Sequence, residues 1–128
     1  MTSFPRPELL APPRPSELAG DEEEAQELAE GFRALADPRR LQLLHLLLTR
    51  DELCVCELLG VIDLTPSNLS FHLNALRHAG FIRARKQGRW VFYAVERERL
   101  AAFQASFASR FDPDQPRVVA PAPECCEE

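Results

Sequence analysis

TPSNLSFHLNALRHAGFIRARKQGRWVFYAV, residues 65–95, changes its hydrophobic period once, and that change decides the fold. As far as His78 the apolar positions Leu69, Leu73 and Leu76 recur at helical spacing. Thr65 offers a capping oxygen and Pro66 suits a first helical turn. Gly80 is a stop signal. From Phe81 to Val95 two runs rich in β-branched and aromatic residues flank Gln87-Gly88, which reads as a hairpin turn.

Working outward, a short helix is expected from about Val55 to Val61. Asp37-Pro38 starts another, with Leu41, Leu44 and Leu48, and Leu43 and Leu47 beside them, on a broad buried face. Ala25, Leu28, Phe32 and Leu35 mark a first helix with an acidic outer face. Leu100, Phe103, Phe107 and Phe111 line one side of a last one. Helices, a short helix–turn–helix, a hairpin and a closing helix describe a winged helix–turn–helix, mainly α with a β-hairpin.

Proline sets the boundaries. Five of the 11 prolines fall in residues 1–20 and four in residues 112–128. The expected organisation is a proline-rich flexible N-terminal arm (1–20), one folded domain (21–111) and a flexible acidic tail (112–128). A chain of 128 residues buries only about two thirds of its unfolded surface, so a partner copy would help it. Phe32, Phe103, Phe107 and Phe111 supply more aromatic surface than one such domain readily buries, and a homodimer through the first and last helices is expected. No run of 18 apolar residues and no apolar region near Met1 are present, so neither a membrane span nor a secretory leader is expected; the reading is cytoplasmic.

The net charge of −5 excludes a globally basic nucleic-acid binder, but the charges are segregated. Leu64 to Val95 has no acidic residue, and Arg77, Arg83, Arg85, Lys86 and Arg89 give it +5. Six acids crowd into Asp21–Glu30 and five into the final 17 residues. The duplex-facing surface is therefore read as the second helix of the turn motif plus the wing. With the leucine stripe turned inward, Ser67, Phe71, Asn74 and His78 fall near the outer face, and Asn68 and Ser70 flank it. Ser67, Asn68, Ser70, Phe71, Asn74 and Arg77 are the expected DNA contacts on this helix; Lys86 and Arg89 are those on the wing. His72 lies about 60° from the core stripe, where packing at the boundary serves as well as DNA contact. In the second wing strand Val91, Tyr93 and Val95 should face inward.

Cys54-Val55-Cys56-Glu57 opens the short helix, with Cys54 at the capping position and Glu57 three residues on. Positions i and i+2 do not meet on a regular helix, but a cap residue is non-helical, so the two sulfurs can converge on one ion. The positive end of the helix favours thiolate over thiol. Four cysteines point to metal or thiol chemistry before structural disulfides.

Ala34-Leu35-Ala36-Asp37-Pro38-Arg39-Arg40-Leu41, Glu52-Leu53-Cys54-Val55-Cys56-Glu57-Leu58, Ser70-Phe71-His72-Leu73 and Gln87-Gly88-Arg89-Trp90-Val91 together resemble the ArsR/SmtB family of bacterial metal-responsive repressors. The resemblance implies a homodimer that leaves its operator when an inducer binds; a dimer with one reading helix per half-site should read an imperfect inverted repeat. Cys-Val-Cys is similar to the site that binds arsenite or antimonite in the arsenic-responsive members. Those members carry a third cysteine three residues after the second, where this chain has Leu59. The arm here lacks the cysteines of the cadmium sensors, and Arg97 to Phe111 lacks the histidines of the zinc sensors. Cys125 and Cys126 remain to complete a site begun by Cys54 and Cys56. Trivalent arsenic prefers three thiolates, which this chain can supply. A cadmium, lead or zinc sensor, needing four tetrahedral ligands, and a thiol-oxidation sensor share the same cysteines. A small thiol enzyme or metal carrier is disfavoured: no βαβ pattern surrounds the pair, and His45, His72 and His78 have no catalytic companion. No enzymatic activity and no required cofactor are expected.

Overall fold

Asp37 and Pro38 divide two helices by a local mechanism. Asp37 is extended (φ −151°), and its Oδ1 accepts the backbone N–H of Arg39 at 2.8 Å and of Arg40 at 3.4 Å. Pro38 then fills a position where no amide hydrogen is needed. The computed structural model describes residues 15–116, which form α1 (Pro15–Leu35), α2 (Pro38–Leu48), β1 (Leu53–Cys54), α3 (Val55–Val61), α4 (Pro66–His78), β2 (Ile82–Gln87), β3 (Trp90–Val95) and α5 (Arg97–Arg110). This is the expected winged helix–turn–helix, with α3 and α4 as the turn motif and β2–β3 as the wing. Among the described residues no helix is long and apolar enough to cross a membrane.

Four details differ from the sequence reading. Helix α1 begins at Pro15, inside the stretch assigned to an arm, because proline is compatible with a first turn and does not by itself exclude a helix. In α2 the buried face is centred on Leu43, Leu44 and Leu47, while Leu41 is exposed. A continuous leucine run leaves the rotation of a helix undetermined until it packs. The hairpin loop is Gly88-Arg89, one residue later than expected, since Gln87 pairs with Trp90. Gly88 has φ +61° and Arg89 is not left-handed, the pattern of a two-residue II′ turn with glycine first. The sheet also has a third strand: β1 adds antiparallel to β3, with Leu53 opposite Tyr93 and Cys54 opposite Phe92, giving the order β1-β3-β2.

The core is assembled from α2, α3, α4 and the inner face of the sheet, with Ala34 at the end of α1. Leu43, Leu47, Leu58, Leu69, Leu73, Leu76 and Phe81 are essentially inaccessible, each worth about 1.5–3 kcal/mol of burial. Helix α4 ends in a Schellman arrangement: Gly80 N–H donates to Arg77 O, and Phe81 N–H to Leu76 O at 3.1 Å. Gly80 takes the left-handed φ of +87° that this cap requires, and Phe81 is thereby delivered into the core beside Leu76. Tyr93 and Val95 are buried and Val91 half-buried, as alternation predicts; Ala94 is buried as well.

Helices α1 and α5 lie together at the edge of this core, to which α1 contributes the buried Ala34 and against which Leu35, Leu100 and Phe103 pack. Phe103 packs edge-on against Phe81 and against Phe32. A methyl group on Gly31 would overlap the Phe103 ring, so the absent side chain sets how closely the helices approach. Arg110 ties α5 to Asp21 at 2.7 Å and to Glu24 at 3.3 Å. No residue of α5 is fully buried.

Candidate nucleic-acid interface

Helix α4 presents the polar face that its leucine stripe implied. Ser67, Asn68, Ser70, Asn74, Arg77 and His78 are exposed, opposite the buried Leu69, Leu73 and Leu76. Thr65 Oγ1 accepts the Asn68 backbone N–H at 3.2 Å and fixes the first turn. Arg77 donates to Asn74 Oδ1 at 3.4 Å, which engages the Asn74 oxygen and not its amide nitrogen. Phe71 stands 61% exposed among these groups. His72 is half-buried, and its Nδ1 accepts from Arg40 Nε at 3.2 Å: it faces the α2 boundary.

The five positive charges of residues 64–95 are not equivalent. Arg83 pairs with Glu96 at 2.7 Å. Arg85 makes a two-pronged pair with Glu52 at 2.8 and 2.9 Å, donates to Gln87 and lies 4.8 Å over the Phe92 ring. The Arg85 guanidinium holds the Glu52 carboxyl below its ordinary pKa, and Glu52 raises that of Arg85. Both acids come from outside the acid-free window, Glu96 directly after it and Glu52 twelve residues before it, so a count confined to that window overstates its free charge. Among the described residues Arg77, Lys86 and Arg89 form no ion pair. Strand register separates them further. Arg83, Arg85, Phe92 and Trp90 share one face of the hairpin, whereas Lys86 and Val91 share the other face with the core residues Ile82 and Val95.

The cysteine pair sits where the wing sheet meets α3. Cys54 is extended (φ −83°, ψ 161°) and only 6% exposed. Its Sγ accepts the Glu57 backbone N–H at 3.4 Å while Glu57 Oε1 accepts the Cys54 N–H at 3.0 Å, a complete capping box with sulfur in place of oxygen. Cys56 is exposed, its Cα 5.4 Å from that of Cys54, and a disulfide joins the two sulfurs. The non-helical cap therefore brings together side chains that a regular helix would separate. Cys54, Phe92 and Arg85 occupy one row across β1, β3 and β2, so the thiol pair adjoins the wing through backbone pairing. Sequence alone ties the pair only to α3. Leu59 is half-buried against the core. Among the described residues no group of three or more His, Cys, Asp or Glu side chains is placed to hold a metal ion. Cys125 and Cys126 lie outside the described residues.

Sequence reasoning missed β1, because two residues carry no period, and it missed Glu52 and Arg40 as neighbours of the interface.

Comparison with known proteins agrees with this geometry. Residues 37–84 match the model of the bacterial regulatory protein arsR family. The chain is 38% identical over 78 residues to an uncharacterised HTH-type transcriptional regulator of Methanocaldococcus jannaschii, covering 61% of this chain and 88% of that one. It is 45% identical over 64 residues to the arsenical resistance operon repressor of Escherichia coli, covering 50% of this chain and 55% of the relative. Among solved structures it is similar to reduced HlyU from Vibrio cholerae, with 33% identity, a TM-score of 0.58, and coverage of 73% of this chain and 97% of that one. The chain belongs to the arsR family of bacterial regulatory proteins: it is a DNA-binding transcriptional regulator of winged helix–turn–helix form, and not an enzyme.

Proposed function

We propose that the chain is a homodimeric repressor that leaves its operator when trivalent arsenic, or antimony, binds the thiolates of Cys54, Cys56 and one tail cysteine. Convergence of the Cys54 and Cys56 sulfurs at the mouth of α3, on a strand bonded to the wing, carries this reading. A dithiol reductant must first give the Cys54–Cys56 disulfide two electrons and two protons, becoming a disulfide itself and leaving two thiols. Trivalent arsenic then favours three sulfurs in a pyramid, and Cys125 or Cys126 supplies the third. Drawing Cys54 onto the ion disturbs the capping box and the β1–β3 pairing together, which displaces both α3 and the wing. The uncovered Phe32, Phe107 and Phe111 edge is the dimer face, placing two α4 helices in successive major grooves of an imperfect inverted repeat.

The test is release of the chain's own upstream DNA by arsenite, antimonite, cadmium, lead and zinc, each under reducing conditions. Arsenite should act in wild type and fail with Cys54→Ser or Cys56→Ser. The Cys125→Ser/Cys126→Ser double variant should bind DNA normally but respond poorly, with fewer sulfurs around arsenic by X-ray absorption. Release by arsenite at the wild-type concentration in that double variant would make the tail dispensable. Linkage adds an independent check: arsenite must bind the operator complex more weakly than the free dimer, by the same factor that it weakens DNA binding.

The bonded cysteine pair favours a second reading, a thiol-oxidation sensor. Two thiols and hydrogen peroxide give the disulfide and two waters. Release of DNA by peroxide without arsenite, reversed by a thiol reductant, distinguishes it.

A further inference from the structure

Residues 31–50 hold a second basic cluster, Arg33, Arg39, Arg40 and Arg50, against the single acid Asp37. Arg40 occupies the third position of α2, three residues after the Asp37 cap, where a capping box would place Glu or Gln. A cation there opposes the positive end of the helix. Helix stability therefore does not account for arginine at this position.

The side chain explains it better. Arg40 Nε donates to His72 Nδ1 at 3.2 Å, Nη1 donates to Arg33 O at 3.4 Å, and Cζ lies 5.4 Å over the Phe71 ring. The end of α1 and two successive residues of α4 together hold one guanidinium. Of its five N–H donors three remain uncommitted, and among the described residues no carboxylate lies within ion-pair distance. Phe71, exposed on the reading face of α4, is the platform on which the guanidinium rests.

We infer that Arg40 is a phosphate ligand, delivered from α2 to the flank of α4 and aimed by Phe71 and His72 at the DNA backbone beside the groove that α4 enters. This rests on α4 and the wing being the docking face. A planar, forked and permanently charged group suits a phosphate oxygen pair. A bond of this kind positions the reader without specifying bases.

The experiment measures binding of the full chain to a short mixed-sequence duplex across a salt series. Arg40→Ala should weaken binding on the order of tenfold or more and lower the salt slope by about 0.9 for each phosphate no longer neutralised. Arg40→Lys should keep the slope but bind several-fold more weakly, because one ammonium cannot stack and fork together. Should Arg40→Ala lose its native circular dichroism, Arg40→Gln replaces it, since Gln can still donate to His72 or Arg33 without charge. Lys86→Ala is the control for the docking face. A lowered slope in Lys86→Ala with an unchanged slope in Arg40→Ala or Arg40→Gln overturns the assignment of Arg40 alone. Unchanged slopes in both overturn the docking face itself, and the Arg40 assignment with it.

Discussion

Helices α4 and α5 are nearly the same length, 13 and 14 residues, and each carries large apolar side chains along one side, yet the chain treats them differently. In α4, Leu69, Leu73 and Leu76 are essentially inaccessible. In α5 no residue is fully buried, and Phe107 and, just past its end, Phe111 remain 42% and 56% exposed. An apolar stripe therefore does not specify the core of its own chain; it specifies only that something apolar should cover it. For α4 the cover is α1, α2 and the sheet, with Leu58 of α3 in the same core cluster. For α5 it is partly α1, and the remainder faces outward as a run of touching rings, with Phe32 edge-on to Phe107 and Phe107 tilted against Phe111.

The comparison is sharpest where the stripes are cut. Leu73→Ala should cost about 2–5 kcal/mol by denaturant unfolding, a large share of a small domain's stability. Ser70→Ala on the opposite side of α4 should change it by less than about 0.5 kcal/mol. Next in size, Phe107→Glu should leave the secondary structure of the chain intact while weakening self-association roughly 30-fold or more by sedimentation. If Phe107→Glu instead unfolds the chain and Leu73→Ala does not, the two helices have been assigned the wrong roles.

The two faces of the wing sharpen the contrast further. Lys86→Ala and Arg89→Ala should each lower the salt slope of DNA binding by about 0.9 per phosphate that the side chain neutralises. Arg85→Ala should lower it less, because Glu52 already neutralises that charge. Equal slopes for all three would mean that the Glu52–Arg85 pair opens on DNA. The smallest effect is a pH effect. The folded Glu52 carboxyl lies below its ordinary pKa, so the stability it confers is complete above the unfolded value and disappears as pH falls through the folded one. Glu52→Gln should remove that part of the acid sensitivity in thermal scans and leave neutral-pH folding little changed.

Local chemistry made much of this legible in the chain itself. Thr65-Pro66, Asp37-Pro38 and Gly80 act within a few residues, and the helix starts and the α4 stop fall where they indicate. The convergence of Cys54 and Cys56 is equally local, since it follows from a cap residue being extended. Strand β1 was invisible because two residues have no period and gain strand character only by pairing with β3. The neutralisation of Arg83 and Arg85 was hidden for a related reason: their partners are 13 and 33 positions away in sequence.

By itself, then, the sequence determined the order of helices and hairpin, the polar face of α4 and the convergence of Cys54 and Cys56 at a helix mouth, though not the disulfide that joins them. These follow from periodicity and capping, which are interactions between near neighbours. Tertiary structure alone decided which leucines of α2 turn inward, which wing charges stay free, that the thiol strand joins the wing, and that Arg40 rests on Phe71. Each depends on what a distant segment presents once the core has closed, and burial and charge pairing are set by that packing.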